Sequence, residues 1–216
     1  MKQKLLAEFI GTLLLLATVV GSGIMGATLS DGNDAVALLG NTLATGAILA
    51  VLILIFGTLS GAHFNPAVTL IFLARGALSR KEAVGYILTQ IIAAILGVLL
   101  AHIMFDLPLI QTSSHVRTGM GQWVSEAVAT FGLILTILGC VKYRPEATAY
   151  AVGLYISAGY WFTASTSFAN PAVTIARSMS DTFAGIAPQD VTGFIIAQLV
   201  GAALAAFTFR ALEDKT

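Results

Sequence analysis

Long apolar runs broken by short polar stretches make up nearly the whole chain. Six of these runs read as membrane-crossing helices: Leu5–Leu29, Ala35–Phe56, Ala83–Phe105, Gly121–Val141, Ala147–Phe162 and Val191–Leu212. A bilayer core about 30 Å thick takes roughly 20 helical residues to cross. Two shorter stretches, Asn65–Ala74 and Asn170–Met179, fall well below that length. The runs are continuous, whereas a membrane β-barrel would alternate apolar and polar positions. The pattern therefore predicts an all-α membrane protein with six transmembrane helices and two half-helices.

Composition sharpens that reading. Of 216 residues, 57% are hydrophobic and only 10% charged, against roughly 25% charged in a typical soluble domain. Eleven basic residues balance eleven acidic ones, so no net field draws nucleic acid. A single cysteine forms no internal disulfide. Three scattered histidines and that cysteine give no zinc spacing, so neither metal nor cofactor is expected. The first run, after Met1-Lys2-Gln3-Lys4, has the look of a signal peptide. However, Glu8 interrupts its start and the acid-in-helix pattern recurs at Glu126, so it reads as part of the body.

The charges choose an orientation. With the N-terminus inside, the inner ends carry Lys2, Lys4, Arg75, Arg80, Lys81, Lys142, Arg144, Arg210 and Lys215. The outer side keeps Arg117 and Arg177, together with Asp31, Asp34, Asp106, Asp181 and Asp190. This asymmetry follows the positive-inside rule and predicts that both termini are cytoplasmic.

A repeat organises the chain. Asn65-Pro66-Ala67-Val68-Thr69 returns as Asn170-Pro171-Ala172-Val173-Thr174. Glu8 in the first run is matched by Glu126 in the fourth. The small-residue ladder Gly85, Thr89, Ala93, Gly97, Ala101 is matched by Gly193, Ala197, Gly201, Ala205. Gln90 and Gln198 each lie five residues past the first glycine of their ladder. Three crossings per half is an odd number, so the second half enters the membrane upside down. The expected organisation is one channel domain over 1–216, with repeats at 1–105 and 118–216. The ladders let neighbouring backbones approach closely.

Each short stretch opens with Asn-Pro-Ala. Asn is a good N-cap, and proline suits the first helical turn, where its missing N–H is not needed. A helix of about 10 residues reaches about 15 Å, half a bilayer. Two inverted half-helices would therefore meet N-terminus to N-terminus near the midplane. Irregular backbone at that depth is tolerated only where it is buried or lines a watery cavity. Gly61-Ala62-His63-Phe64 and Ser167-Phe168-Ala169 are that backbone, with carbonyls free to serve as acceptors along a path.

The arrangement resembles the aquaporin, or major intrinsic protein, family. The residues that carry the resemblance are Ser60-Gly61-Ala62-His63-Phe64-Asn65-Pro66-Ala67-Val68-Thr69 and Asn170-Pro171-Ala172, extended by Ala7-Glu8-Phe9-Ile10-Gly11-Thr12, Glu126, Gln90 and Gln198. It covers essentially the whole chain. The resemblance implies a passive channel with one pore per subunit, a homotetramer, and a multi-pass location in a bacterial inner membrane. Water and small neutral solutes are the implied partners, in a lipid bilayer and without nucleic acid.

One departure carries information. Most family members have arginine after the second Asn-Pro-Ala; here the residue is Val173. This pattern resembles a bacterial aquaglyceroporin branch associated with arsenical permeation, which implies arsenite and methylated arsenicals as solutes besides glycerol and water. Three further filter positions carry over by the resemblance. Thr45 stands twenty residues before Asn65, and Ser167 three before Asn170. The third stays open between Ala158, counted back from Asn170, and Tyr160, aligned on Gly153.

Other polar residues have two readings each. Glu8 and Glu126 read as carboxylates that support the irregular loops, with a proton relay as the alternative. His63 reads as pore-lining and His102 and His115 as surface residues. Arg177 reads either as a vestibule cation or as half of an i, i+4 pair with Asp181. A coupled secondary transporter is the competing function, since inverted repeats with broken helices also build those. A structural membrane protein with a closed pore is a third class. An enzyme is excluded, because no nucleophilic or metal constellation appears.

Overall fold

The computed structural model describes residues 1–213. Lys215, counted among the inner charges, lies outside the described residues. Eight α-helices follow in order: α1 (Lys2–Leu29), α2 (Asp34–Ser60), α3 (Pro66–Ala74), α4 (Arg80–Met104), α5 (Met120–Tyr143), α6 (Thr148–Phe162), α7 (Pro171–Arg177) and α8 (Pro188–Glu213). Among the described residues there is no strand.

Five helices are long and apolar enough to cross a membrane: α1, α2, α4, α5 and α8. The sixth, α6, has only 15 residues, about 22 Å at 1.5 Å per residue. A 3-10 turn, Pro145–Ala147, leads into it.

Local chemistry sets the helix ends. The Asn33 side chain accepts from the Ala35 and Val36 amides at the start of α2. Ser79 and Glu82 form a reciprocal capping box on α4. Gly61 ends α2 at φ +87°, a left-handed conformation that glycine adopts without steric cost. The α3 and α7 helices begin as the Asn-Pro pairs require. Asn65 accepts from the Ala67 amide, and Asn170 from those of Ala172 and Val173. The α7 helix ends at Arg177, two residues before the Met179 boundary read from the sequence.

Helix α1 packs on α2 and α4, and α5 packs on α6 and α8. The close approaches are made by glycine. A Cβ at Gly97 would fall 2.8 Å from the Leu16 Cβ and collide with the Leu13 carbonyl. A Cβ at Gly201 would collide with the Ala127 carbonyl on α5. The α3 helix rests against α4 and α8, and α7 against the same two, so each short helix touches both halves of the chain.

Ion pairs gather on one face. Lys4 meets Glu82 at 3.2 Å, and Glu213 meets Arg75 at 2.9 Å and Lys142 at 3.4 Å. This face holds the start of α1 and α4 and the ends of α3, α5 and α8. On the opposite face the 105–119 segment lies along the 178–190 segment. Ser113 donates to the Ser178 carbonyl, the Ala187 amide to the His115 carbonyl, and the Arg117 amide to Asp190. The Ser114 amide and hydroxyl both donate to Asp181 and hold its carboxyl below the ordinary carboxylate range.

Candidate functional site

The two irregular segments adopt backbone that side chains rarely favour. Ala62 and Phe64 have φ of 49° and 48°; Ser167 and Ala169 have 52° and 47°. Residues in this region are strained unless their surroundings over-determine them. A buried carboxyl does so in each half. Glu8 accepts from the His63 amide at 2.9 Å and the Phe64 amide at 2.7 Å. The Ser60 hydroxyl and the Gln90 amide, each at 2.7 Å, complete the set. Glu126 accepts from the Phe168 and Ala169 amides at 2.8 and 2.9 Å and from Gln198 at 2.6 Å. Gln90 and Gln198 also reach Thr69 and Thr174 on the two short helices. The glutamines thus bridge helices around each carboxyl. Neither glutamate lines the cavity described below.

The loops then lock each other. The Asn65 amide donates to the Ala169 carbonyl at 2.7 Å, and the Asn170 amide to the Phe64 carbonyl at 2.8 Å. Each Asn side chain therefore caps its own helix with its oxygen and holds the opposite loop with one N–H. The second N–H of each –NH₂ remains.

One cavity runs past this junction. Thr148, Val141 and Ile137 line it at the end near the ion-paired face, with Phe72, Val68 and His63 beyond them. Asn65 and Asn170 lie on its wall, together with Gly61, Ala62, Phe64 and Phe168. Towards the opposite face it is bounded by Thr45, Tyr160, Ser167, Val173 and Arg177. Among the described residues, the carbonyls of Gly61, Ala62, His63, Ser167 and Phe168 accept no hydrogen bond, so they present acceptors to this space. The Ser167 hydroxyl and the Thr148 hydroxyl are likewise buried without a partner. His63 is fixed by Thr69 at 3.1 Å and by the Phe72 and Tyr86 rings.

Several sequence expectations need correction. Ala158 is exposed on the outer side of α6, whereas Tyr160 is buried, lines the cavity and donates to Thr45 at 3.3 Å. Two residues turn a helix through about 200°, so only one of the pair can face inward. Pro66, Ala67, Pro171 and Ala172 are buried in the first turns of α3 and α7 and do not line the cavity; nor does Ala169, although its carbonyl receives Asn65. Arg177 makes no pair with Asp181. It is buried, donates through Nε to the Ala184 carbonyl, and stacks 3.4 Å from the Phe168 ring centroid. Its helix ends there, so residue 181 is not one turn further along. His102 is buried, not a surface residue, and joins the Leu109 carbonyl to the Ser180 hydroxyl, each at 2.9 Å.

Sequence reasoning missed Thr148. The signal was present: Thr148, Val152, Ile156 and Tyr160 form an i, i+4 stripe along α6, and all four line the cavity. Arg117 was missed too. Its guanidinium donates to the Gly185 and Ser165 carbonyls and lies 5.1 Å from the Phe168 ring. Nothing in its local sequence pointed to this.

The chain matches the family model described as major intrinsic protein over residues 1–148. It is 56% identical to an aquaglyceroporin, AqpS, of Rhizobium meliloti (strain 1021), over 96% of this chain and 89% of that protein. It is 33% identical to the lens fiber major intrinsic protein of Gallus gallus, over 96% of this chain and 80% of the relative. Among solved structures, the aquaglyceroporin from Plasmodium falciparum superposes with a TM-score of 0.77 at 24% identity, covering 96% of this chain and 94% of that one. That likeness concerns the fold.

Proposed function

The chain belongs to the major intrinsic protein family, a family of membrane channels and not of enzymes, and we propose that it carries water, glycerol and small metalloid hydroxides such as arsenite down their gradients. Methylated arsenicals fall within the same reading. The observation that carries it is the cavity wall between the junction and the face opposite the ion pairs. There Val173 lines the cavity together with the unpartnered Ser167 hydroxyl and the Tyr160–Thr45 pair. A compact neutral polyol needs hydrogen-bond replacement on one side and apolar contact on the other, and this wall offers both. A methyl substituent would meet Val173.

The junction supplies the selectivity against charge. The N-terminal ends of α3 and α7 meet there, and helix N-termini carry partial positive charge. A water oxygen held by the free N–H groups of Asn65 and Asn170 points its hydrogens away from the junction on both sides. That orientation interrupts a proton relay, and the potential repels cations. A coupled transporter would need an ionisable residue on the path. Glu8 and Glu126 are turned to backbone amides, which supports the passive reading.

In this reading the halves 1–105 and 118–216 are the two inverted repeats. The protein is a homotetramer of the bacterial inner membrane with cytoplasmic termini.

The test is stopped-flow permeability of reconstituted vesicles to water, glycerol and As(OH)₃, with Val173→Arg in parallel. Fast solute flux in the wild type, reduced about tenfold or more by the arginine, is expected; tenfold corresponds to about 1.4 kcal/mol of added barrier. Glycerol flux without arsenite flux would leave a glycerol and water facilitator. Water flux alone would refute the solute reading.

A further inference from the structure

Arg177 is a buried cation on the channel wall without a counter-ion. Among the described residues its guanidinium makes one hydrogen bond, from Nε to the Ala184 carbonyl, and no ion pair. The nearby carboxylates are engaged elsewhere. Asp181 takes the Ser114 amide and hydroxyl, Asp190 the Arg117 amide, and Glu126 the loop amides. The second arginine at the Phe168 ring, Arg117, adds positive charge rather than neutralising it. Stacking covers one face of the Arg177 guanidinium and fixes its plane. The two terminal NH₂ groups are left to donate in that plane, the geometry that matches two oxygens on one centre.

Two further groups complete a site. The Ser167 hydroxyl is buried, without a partner, and lines the same cavity. Val173 precedes Arg177 by four residues, one helical turn, and gives the same wall an apolar patch. The cation that the resemblance places at residue 173 is therefore present one turn further along α7, on the same cavity wall.

We propose that Arg177, with Ser167 and Val173, forms a binding site in the channel for small singly charged oxyanions that bear an apolar substituent, of the organic phosphonate class. The guanidinium takes two anion oxygens, the serine hydroxyl a third, and the valine the apolar substituent. The channel then admits the anion of an oxo acid to its outer section, beyond the neutral solutes proposed above. This inference rests on the channel reading, and its test separates the two.

Water permeability of proteoliposomes is measured with methylphosphonate on both sides, at a pH where it carries a single charge. Methylammonium at matched ionic strength is the control. In a single-file path a resident ion slows water whichever way it leaves. Wild type is expected to show saturable inhibition by methylphosphonate and none by methylammonium. In Arg177→Gln the half-inhibitory concentration is expected to rise about tenfold or more, equal to about 1.4 kcal/mol. Arg177→Lys, which keeps the charge and loses the planar fork, falls between. Where Arg177→Gln does not reach the vesicles, Ser167→Ala is the second variant, with a rise of several-fold expected. A conducting wild type that methylphosphonate does not inhibit, or inhibition equal in wild type and in the variant measured, overturns the proposal. A wild type that conducts neither water nor glycerol overturns the channel reading instead. Phosphorus NMR line broadening of methylphosphonate by the purified protein, compared with the same variant, then decides the site: broadening lost in the variant supports it, and absent or equal broadening overturns it.

Discussion

At the scale of single residues, Glu8 and Glu126 show how a buried acid can serve backbone geometry. Each carboxyl offers two oxygens, and each is met by two consecutive loop amides and a glutamine. Substitution by glutamine keeps the shape but turns an –NH₂ donor towards amide donors. One buried N–H is left unpaired and another contact becomes repulsive. Unmet buried donors cost about 1–3 kcal/mol each, so Glu8→Gln and Glu126→Gln should each lower stability by about 2–5 kcal/mol. Thermal unfolding in detergent checks this. A variant of unchanged stability with altered proton dependence of flux would make the carboxyl a relay. The carboxyls' presence in apolar helices was legible as a sign of function, because acids in such segments are costly. For Arg177 one of two readings failed: its spacing to Asp181 fits a helical pair only if the helix continues, and α7 instead ends in tight turns, with Ser178 bonded to Ile175 and Met179 to Ala176, while the Arg177 side chain turns to the Ala184 carbonyl.

At the scale of helices, packing distance is set by two glycines, one in each ladder. Gly97 lets α4 approach the Leu13 carbonyl of α1, and Gly201 lets α8 approach the Ala127 carbonyl of α5. The obstacle to a Cβ in each case is backbone, which cannot rotate aside as a side chain can. Gly97→Val and Gly201→Val should therefore separate the helix pairs and lower stability by about 1–3 kcal/mol or more, read as a lower unfolding temperature. Gly40→Ala is the contrast, since a Cβ there meets nothing within 4 Å; it should leave the unfolding temperature unchanged or slightly raised. Apolar run length located the long helices, and the small ladders marked close contacts. Helix phase settled what chain counting left open on α6. The stripe from Thr148 to Tyr160 repeats every four residues, and Ala158 falls off it.

At the scale of the whole molecule, the halves are joined where the strain is greatest. Asn65 reaches the second loop and Asn170 the first, so each loop is held by the other half as well as by its own glutamate. That reciprocity was beyond local sequence reasoning, which located two caps but not the opposite carbonyls they bind. The distribution of charge was legible, because basic residues near helix ends act through the membrane potential and need no tertiary partner. The structure places Lys4, Arg75 and Lys142 on one face, each paired to a glutamate, and Asp181 with the 105–119 segment on the other. If the basic face is cytoplasmic, a thiol at Lys2→Cys should react with an impermeant maleimide only in inverted membrane vesicles. A thiol at Ser114→Cys should react only in intact cells or right-side-out vesicles. Both belong in a Cys140→Ser background. The reverse pattern would put Arg177 and its oxyanion-binding wall at the cytoplasmic mouth. The same site would then act first on solutes leaving the cell rather than on those entering it.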